Sequence, residues 1–310
     1  MGTYDGCVYL LSPIGSLRQT VQTGDVVRST AAMMATWFAV GSHDGLLHVC
    51  TLGRDSLVQH RAAYNPNTQT SALVPITAAP AARGGSAQLA SPCVDTTGWC
   101  CNATLSGLVF AVMVTVTTGR PPVIQSQWQQ SLQEPIFASP LHHRALVVVA
   151  TAKGQVCALD ANTGQRRWQC QLLGGIFAAG GLEPSMVGDS FAIPSAQRPK
   201  RCTSLWVTTN QCELARVDLD DGALLTRVVL PGNSSSTPWV DCHDVLVTTV
   251  TGHLCQYRLA SRVLEVLTAI AEPVFSAPVR WQSLVLFGAR DDQLHAVACA
   301  TSGDLRTLDP

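Results

Sequence analysis

Residues 158–168, ALDANTGQRRW, decide the fold because they join two strands through a turn that carries its own side-chain support. Asp160 ends an apolar run, and the side chains of Asp160 and Thr163 are suited to hydrogen bonding with the backbone amides of a turn. Gly164 tolerates the positive φ that such a turn needs. Trp168 begins the next strand, where its ring is placed to pack between two sheets.

The segment before this turn contains a second hairpin, and the same pattern recurs along the chain. Two apolar runs flank Lys153 and Gly154, and a two-residue connection with glycine between apolar runs is typical of a β-hairpin. Small residues, often followed by proline, open each unit, at VVRSTA (26–31), LASP (89–92), PIFASP (135–140), IFAAG (176–180), SSTP (235–238) and VFSAP (274–278). The first residues, GTYDGCVYLL, match only the second half of the unit.

The spacing of the hairpins indicates a repeat of about 40 residues. The turns are predicted at Gly6, Gly45, Gly107, Gly154, Glu213, Gly252 and Asp292. Three of the six spacings are 39 or 40 residues, the length of a four-stranded propeller blade, and the longer ones predict loop insertions at about 60–88 and 183–203. The sequence therefore predicts an all-β fold, a seven-bladed β-propeller with an incomplete first blade, as a single domain over residues 1–310.

Composition excludes several classes of function. Apolar residues make up 46% of the chain and charged residues 13%, which is too little charge for a disordered protein. The formal net charge is −1, without a basic block, so neither a nucleic-acid nor a membrane partner is expected. The 12 cysteines do not form CxxC pairs and are expected to be reduced. No secretory signal is predicted at the first residues, and we expect a cytoplasmic location.

Two sets of repeat residues resemble known propellers. Ala158, Asp160, Thr163, Gly164 and Trp168 resemble the signature of quinoprotein-type propellers built from PQQ repeats, so the fold is expected to be PQQ-like, with WD40-like blades. A second element resembles the C-terminal propeller of the beta-alanine-activating enzyme, a member of the acyl-CoA synthetase family that is similar to aminoadipate-semialdehyde dehydrogenases. It comprises Gly41, Asp44, Gly45, Ser139, Pro140, Pro278, Gly288 and Asp291.

This resemblance implies a function at the level of a larger enzyme. Such enzymes join an adenylating domain and a phosphopantetheine carrier domain to the propeller, and adenylate an amino or carboxylic acid before loading it on the carrier. Neither domain is recognisable here, so the chain is expected to be a C-terminal fragment of a multidomain protein. It would then be a non-catalytic scaffold whose partners are adenylation and carrier domains. The alternatives are a PQQ-dependent oxidoreductase and an assembly-factor scaffold like the propeller of bacterial outer-membrane biogenesis.

No catalytic, cofactor-binding or metal residue is predicted from the sequence. Quinone enzymes bind their cofactor with carboxylates and Ca²⁺, and some place a vicinal disulfide over it. Here Cys100 and Cys101 lie within one apolar strand, where alternation directs the two sulfurs to opposite faces. The candidate carboxylates lie at hairpin turns, so PQQ is not expected. His43 and His48 are interpreted as turn or surface histidines, without an acidic partner at ligand spacing.

Overall fold

The computed structural model describes residues 2–80, 83–184 and 204–299 of the 310-residue chain. Within these ranges the chain forms 26 β-strands and no α-helix. The strands pair antiparallel in seven sheets, which correspond in order to the seven predicted repeats.

The sheets are numbered here in chain order. Sheet 1 contains β1 (Cys7–Leu11) and β2 (Leu17–Gln22), and sheet 2 contains β3 (Ala32–Met33), β4 (Trp37–Gly41), β5 (Leu47–Leu52), β6 (Val58–Asn65) and β7 (Thr70–Leu73). Sheet 3 contains β8 (Cys93–Val94), β9 (Trp99–Ala103), β10 (Leu108–Thr115) and β11 (Val123–Ser131), and sheet 4 contains β12 (Leu141–His143), β13 (Leu146–Ala150), β14 (Gln155–Asp160) and β15 (Arg166–Gln171). Sheet 5 contains β16 (Gly181–Leu182), β17 (Ser204–Thr208), β18 (Glu213–Asp218) and β19 (Leu224–Val229), and sheet 6 contains β20 (Trp239–Val240), β21 (Asp244–Thr248), β22 (His253–Arg258) and β23 (Val263–Ala269). Sheet 7 contains β24 (Val279–Trp281), β25 (Leu284–Gly288) and β26 (Leu294–Ala298).

The chain divides into two compact units. Unit 1 comprises Met1–Lys153 and Cys157–Arg167, and unit 2 comprises Gly154–Val156 and Trp168–Pro310. In unit 1, apolar clusters lie between sheets 1 and 2, between sheets 2 and 3, and between sheet 3 and the first strands of sheet 4. In unit 2, clusters lie between sheets 5 and 6 and between sheets 6 and 7. Within each unit the core is therefore a series of layers between stacked sheets.

The position of a strand within its sheet explains its sequence pattern. The second strands of sheets 2, 3, 5 and 6 are buried at every residue, which is why apolar residues dominate their sequences. The last strand of sheet 4, β15, RRWQCQ, buries only Trp168. Burial is therefore greatest in the middle of a sheet and lower at its edge strands.

The predicted turns lie where the pattern placed them, with one error. Gly6, Gly45, Gly107, Gly154 and Gly252 all have positive φ, between 79° and 88°. In sheet 5 the prediction of Glu213 is wrong by one residue, because Glu213 begins β18 and Cys212, with φ of 56°, occupies the left-handed position.

The predicted insertions differ in outcome. The segment 60–88, predicted as a loop, includes most of β6 and all of β7, so sheet 2 has five strands. The loop prediction is therefore wrong for these residues. The segment 183–203 lies outside the described residues from position 185 onward.

Candidate functional site

The turn between β14 and β15 is held by the carboxylate of Asp160. Its Oδ1 accepts hydrogen bonds from the backbone N–H groups of Asn162 at 3.0 Å and Thr163 at 2.9 Å. Arg167 donates to Oδ2 at 2.6 Å, and this bond is the largest influence that lowers the pKa of Asp160 to about 2. Gly164 completes the turn with φ of 72°. The carboxylate is thus occupied by the turn itself.

Two tryptophans dock on turns of this type. Trp128 donates from Nε1 to a carbonyl oxygen of the β14–β15 turn at 2.8 Å, and a Cβ atom on Gly164 would come within 2.6 Å of its ring. Trp168 donates to a carbonyl oxygen of the β18–β19 turn at 2.9 Å, and a Cβ atom on Gly222 would likewise come within 2.6 Å of its ring. The glycine therefore provides both the positive φ and the space for the ring. Sequence analysis identified Trp168 but missed Trp128.

A second kind of turn carboxylate pairs with a histidine four residues later. Asp44 Oδ2 lies 2.9 Å from Nε2 of His48, and Asp291 Oδ2 lies 2.8 Å from Nε2 of His295. In both hairpins the aspartate is in the turn and the histidine is in the strand that follows. The pairs therefore fasten a turn to its own strand.

The prediction that His48 is a turn or surface histidine without an acidic partner is wrong. Its side chain has no exposed surface and pairs with Asp44, which sequence analysis had assigned only to the turn. Asp44 also accepts hydrogen bonds from the backbone N–H groups of Leu46 at 2.9 Å and Gly24 at 2.8 Å. Burial raises the pKa of Asp44, but the hydrogen bond and charge of His48 and the two amides outweigh it, and the pKa is lowered. The spacing Asp-x-x-x-His after a hairpin glycine was the available signal.

The first hairpin uses the same arrangement with tyrosine. Tyr9 donates from its hydroxyl to Asp5 Oδ2 at 2.5 Å, and the hydroxyl of Thr3 also bonds this carboxylate. The bonds from Thr3 and Tyr9 lower the pKa of Asp5 to about 2. The bond between Tyr9 and Asp5 raises the pKa of Tyr9 to about 12. This carboxylate is likewise engaged within its hairpin.

Serines at the start of several repeats form hydrogen bonds with neighbouring strands or segments. Ser276 Oγ donates to the carbonyl oxygen of Gly288 at 2.8 Å and accepts from its N–H at 2.9 Å. Ser29 makes the same pair of bonds with Gly41, at 2.8 and 3.0 Å. Ser139 accepts from a backbone N–H ahead of β8 at 2.9 Å. These serines therefore act as hydrogen-bonding groups and not only as small residues at the start of a repeat.

The remaining repeat residues lie in turns and at strand starts. Gly45 has φ of 82°, and Pro140 and Pro278 are buried directly before β12 and β24. The repeat residues are distributed one set to a sheet, and the structure does not bring them together in a single site.

Cys100 and Cys101 lie in β9 with both thiols free and fully buried. Cys100 contributes to the cluster between sheets 2 and 3, and Cys101 to the cluster between sheets 3 and 4, so the two side chains occupy opposite faces. Burial raises the pKa of both thiols well above the usual value. The pair is part of the core.

Within residues 2–80, 83–184 and 204–299, no group of three or more His, Cys, Asp or Glu side chains is arranged to hold a metal ion. No helix in the same part of the chain has the length and apolar character to span a membrane.

Two adjoining cavities lie in unit 1, beside the turns that connect β3 to β4 and β5 to β6. Their volumes are about 430 and 940 Å³, and they share Ala35, Leu52 and Ser56. Arg54 and Asp55 are the charged residues lining the larger cavity. The other residues that line the two cavities are apolar, small or hydroxyl-bearing, apart from Arg18 at the smaller cavity and Gln59 at the larger.

The most distinctive surface in unit 2 is one face of sheet 7. Strand pairing places seven apolar side chains on this face, which we call the open face: Val279, Trp281, Leu284, Leu286, Leu294, Ala296 and Ala298. Trp281 is 58% exposed and Leu294 is 72% exposed. None of the seven side chains is charged. Sequence analysis did not detect this surface, because the alternating pattern does not state which face of a sheet is covered.

Comparison with known proteins identifies the fold. The crystal structure of BamB from Moraxella catarrhalis is similar to 96% of this chain and 80% of the BamB chain, with a TM-score of 0.66 and 16% identity. The computationally designed Ika8 protein is similar over 96% of this chain and 92% of its own, with a TM-score of 0.56 and 14% identity. No curated protein matches the sequence. The prediction of an all-β, PQQ-like propeller is confirmed.

The family comparison adds sequence evidence to this structural likeness. The family model described as "Outer membrane protein assembly factor BamB" matches residues 112–305, which is more than half of the chain. The match covers sheets 4 to 7 and the end of sheet 3. The chain therefore belongs to this family of PQQ-repeat β-propellers.

Proposed function

We propose that the protein is a non-catalytic interaction scaffold that binds another protein through the open face of sheet 7. The exposed, uncharged surface of that face is the observation that carries the proposal. A monomeric protein rarely leaves a contiguous apolar patch uncovered unless the patch serves an interaction.

A comparison with the apolar face of sheet 6 supports the proposal that the open face binds a partner. In unit 2, Leu246 and Leu254 of sheet 6 are covered by Val285 and Phe287 of sheet 7, and all four side chains are buried. The other face of sheet 7 carries residues of the same apolar character, but five of the seven are exposed and Leu284 and Leu286 are half-buried. The partner should therefore offer an apolar, uncharged surface, with Trp281 as the natural anchor, since tryptophan is enriched among residues that dominate binding energy.

We further propose that this partner is an adenylation–carrier module of the kind that accompanies the propeller of beta-alanine-activating enzymes, in the same polypeptide or in another, in the cytoplasm. The resemblance of the repeat residues supports this assignment. Substrate activation would then reside in that module. Incubated with ATP, CoA and amino acids, the isolated propeller should release no pyrophosphate, and with PQQ, Ca²⁺, an alcohol and an electron acceptor it should show no dye reduction.

The family match favours a second candidate, an assembly-factor scaffold. BamB is described as an outer membrane protein assembly factor, and the present chain belongs to its family. Such a scaffold would use the same open face, but its partner would be a component of an assembly complex instead of an acid-activating enzyme.

The test compares two variants in calorimetric titrations with an adenylation–carrier fragment. Wild type should bind with roughly micromolar affinity, as is usual for modest interfaces between domains. Trp281→Asp should weaken binding tenfold or more, whereas Val229→Asp, on an 82% exposed residue of β19, should not. Equal weakening by both variants would contradict a role of the open face. Absence of binding by wild type would remove the adenylation–carrier assignment and leave the assembly-factor candidate.

A further inference from the structure

Two cysteines lie directly opposite each other on neighbouring strands of sheet 3. Cys93 in β8 is the register partner of Cys101 in β9. Asp95 and Trp99 form a hydrogen-bonded pair across the two strands, because the N–H of Asp95 donates to the carbonyl oxygen of Trp99 at 3.0 Å. Hydrogen-bonded pairs recur at every second residue of an antiparallel ladder, so the pair Cys93–Cys101, two residues before Asp95, is also hydrogen-bonded. In such pairs the Cα atoms are about 5.5 Å apart, which is close to the commonest Cα separation in disulfides.

The two side chains also share a face of the sheet. Cys101 belongs to the apolar cluster between sheets 3 and 4, and Cys93 packs against the same cluster. Cys100, the neighbour of Cys101, belongs to the cluster on the opposite face. The geometry therefore selects Cys101 over Cys100 as the partner of Cys93.

Cys50 and Cys255, two other buried strand cysteines, lie opposite residues other than cysteine. Cys50 lies opposite Arg61, and Cys255 lies opposite Val266. Cys93 also differs in access, because it is only half-buried whereas Cys50, Cys101 and Cys255 are fully buried.

We propose that Cys93 and Cys101 form a redox modification site, which closes to a cross-strand disulfide by exchange with a low-molecular-weight disulfide such as oxidised glutathione. The Cys93 thiolate attacks one sulfur of the small disulfide, breaks its S–S bond and releases one thiolate. The Cys101 thiol then loses its proton to water as it attacks the Cys93 sulfur, which breaks the mixed disulfide and releases the second small thiolate. The two released thiolates take up the two protons that the cysteines lose. Two protein thiols are oxidised and one small disulfide is reduced to two thiols.

The order of these steps follows from access and burial. Burial raises the pKa of the Cys101 thiol, so it is a poor first nucleophile, and no oxidant of glutathione size reaches a fully buried sulfur. Cys93 is therefore the point of entry, and Cys101 resolves the mixed disulfide. The closed bond would fix β8, a strand of two residues at the edge of its sheet, to β9.

The test treats the folded full chain with oxidised glutathione, followed by acid quenching, alkylation and digestion on the amino side of Asp95. This cleavage separates Cys93 from Cys101, so a disulfide appears as a cross-linked peptide pair that reduction resolves. We expect the pair in wild type and in Cys100→Ala, and its loss in Cys93→Ser. The intact protein should lose the mass of two hydrogens.

A second measurement covers variants that fold poorly. The oxidised wild type should unfold at a higher temperature than the reduced protein, because the bond restricts the unfolded chain, and Cys93→Ser should show no such shift. A stable glutathione adduct on Cys93 without cross-linking would overturn the proposal. So would a cross-link that persists in Cys93→Ser or disappears in Cys100→Ala.

Discussion

Sheets 2 and 7 contain the same aspartate–histidine hairpin in two different environments. The pair Asp44–His48 in sheet 2 and the pair Asp291–His295 in sheet 7 have nearly equal separations, 2.9 and 2.8 Å. The side chains of the first pair are 0% exposed, whereas those of Asp291 and His295 are 25% and 23% exposed. The local sequence thus sets the hydrogen bond, and contacts from segments distant in the sequence set its burial.

The difference does not come from the open face, because His295 shares the covered face of sheet 7 with Phe287, which packs against sheet 6. It arises from the segments that cover the turn. The N–H of Gly24 donates to the Asp44 carboxylate and the N–H of Gly84 donates to the carbonyl oxygen of Asp44, whereas Asp291 accepts a backbone N–H from Gln293 of its own turn. An identical motif should therefore contribute more stability in sheet 2, because removal of one partner leaves a polar group buried without a hydrogen bond.

The largest expected effect compares a covered with an uncovered tryptophan. Trp168→Ala should lower the free energy of unfolding by about 3–5 kcal/mol, because the ring is 8% exposed and its N–H is bonded. Trp281→Ala, on the open face, should cost no more than about 0.5–1 kcal/mol. Urea unfolding followed by circular dichroism measures both. Similar costs would mean that Trp281 is covered in solution, which would point to self-association of the open face.

The next effect compares the two carboxylates directly. Asp44→Ala should cost about 2–4 kcal/mol, because His48 and the backbone N–H groups of Leu46 and Gly24 lose their acceptor in the core. Asp291→Ala leaves groups that water can reach, and its cost should be smaller than that of Asp44→Ala. The same unfolding measurement applies. A larger cost for Asp291→Ala would contradict the view that burial decides the contribution of the motif.

A smaller effect separates the two roles of the turn glycine. Gly222→Ala should cost about 2–3 kcal/mol, since φ is 78° and the new Cβ would lie 2.6 Å from the ring of Trp168. Gly15→Ala is the matched control, because φ is 83° but no atom lies within 4 Å of the added Cβ. It should cost only about 1 kcal/mol, the strain of the backbone alone. Equal losses of stability would mean that Trp168 moves aside freely.

Repeats, turns and fold class could be predicted from the sequence because each rests on local chemistry. The positive φ of Gly45 and the bonds of Asp160 depend on residues within a few positions. Burial of the Asp44–His48 pair could not be predicted in the same way, because it involves Gly24 and Gly84, which lie far from Asp44 in the sequence. The open face was missed for the same reason, since Trp281 has the character of a core residue and yet is 58% exposed.

The smallest effect is a pH dependence carried by Asp44. Its pKa is lowered from the usual 3.8, because the bond and charge of His48 and the backbone amides outweigh burial. A carboxyl group with a lowered pKa in the folded state stabilises the protein above its unfolded pKa, and this contribution is lost as the pH falls through the folded pKa. The stability difference between wild type and Asp44→Asn should therefore be largest near neutral pH and shrink below about pH 4.

Asp291→Asn is the control: the pKa of Asp291 is also lowered, by His295 and a backbone amide, but water screens the pair, so its difference should change less. Urea midpoints measured across this range give both differences, and a constant difference for Asp44→Asn would show that its charge does not stabilise the buried pair.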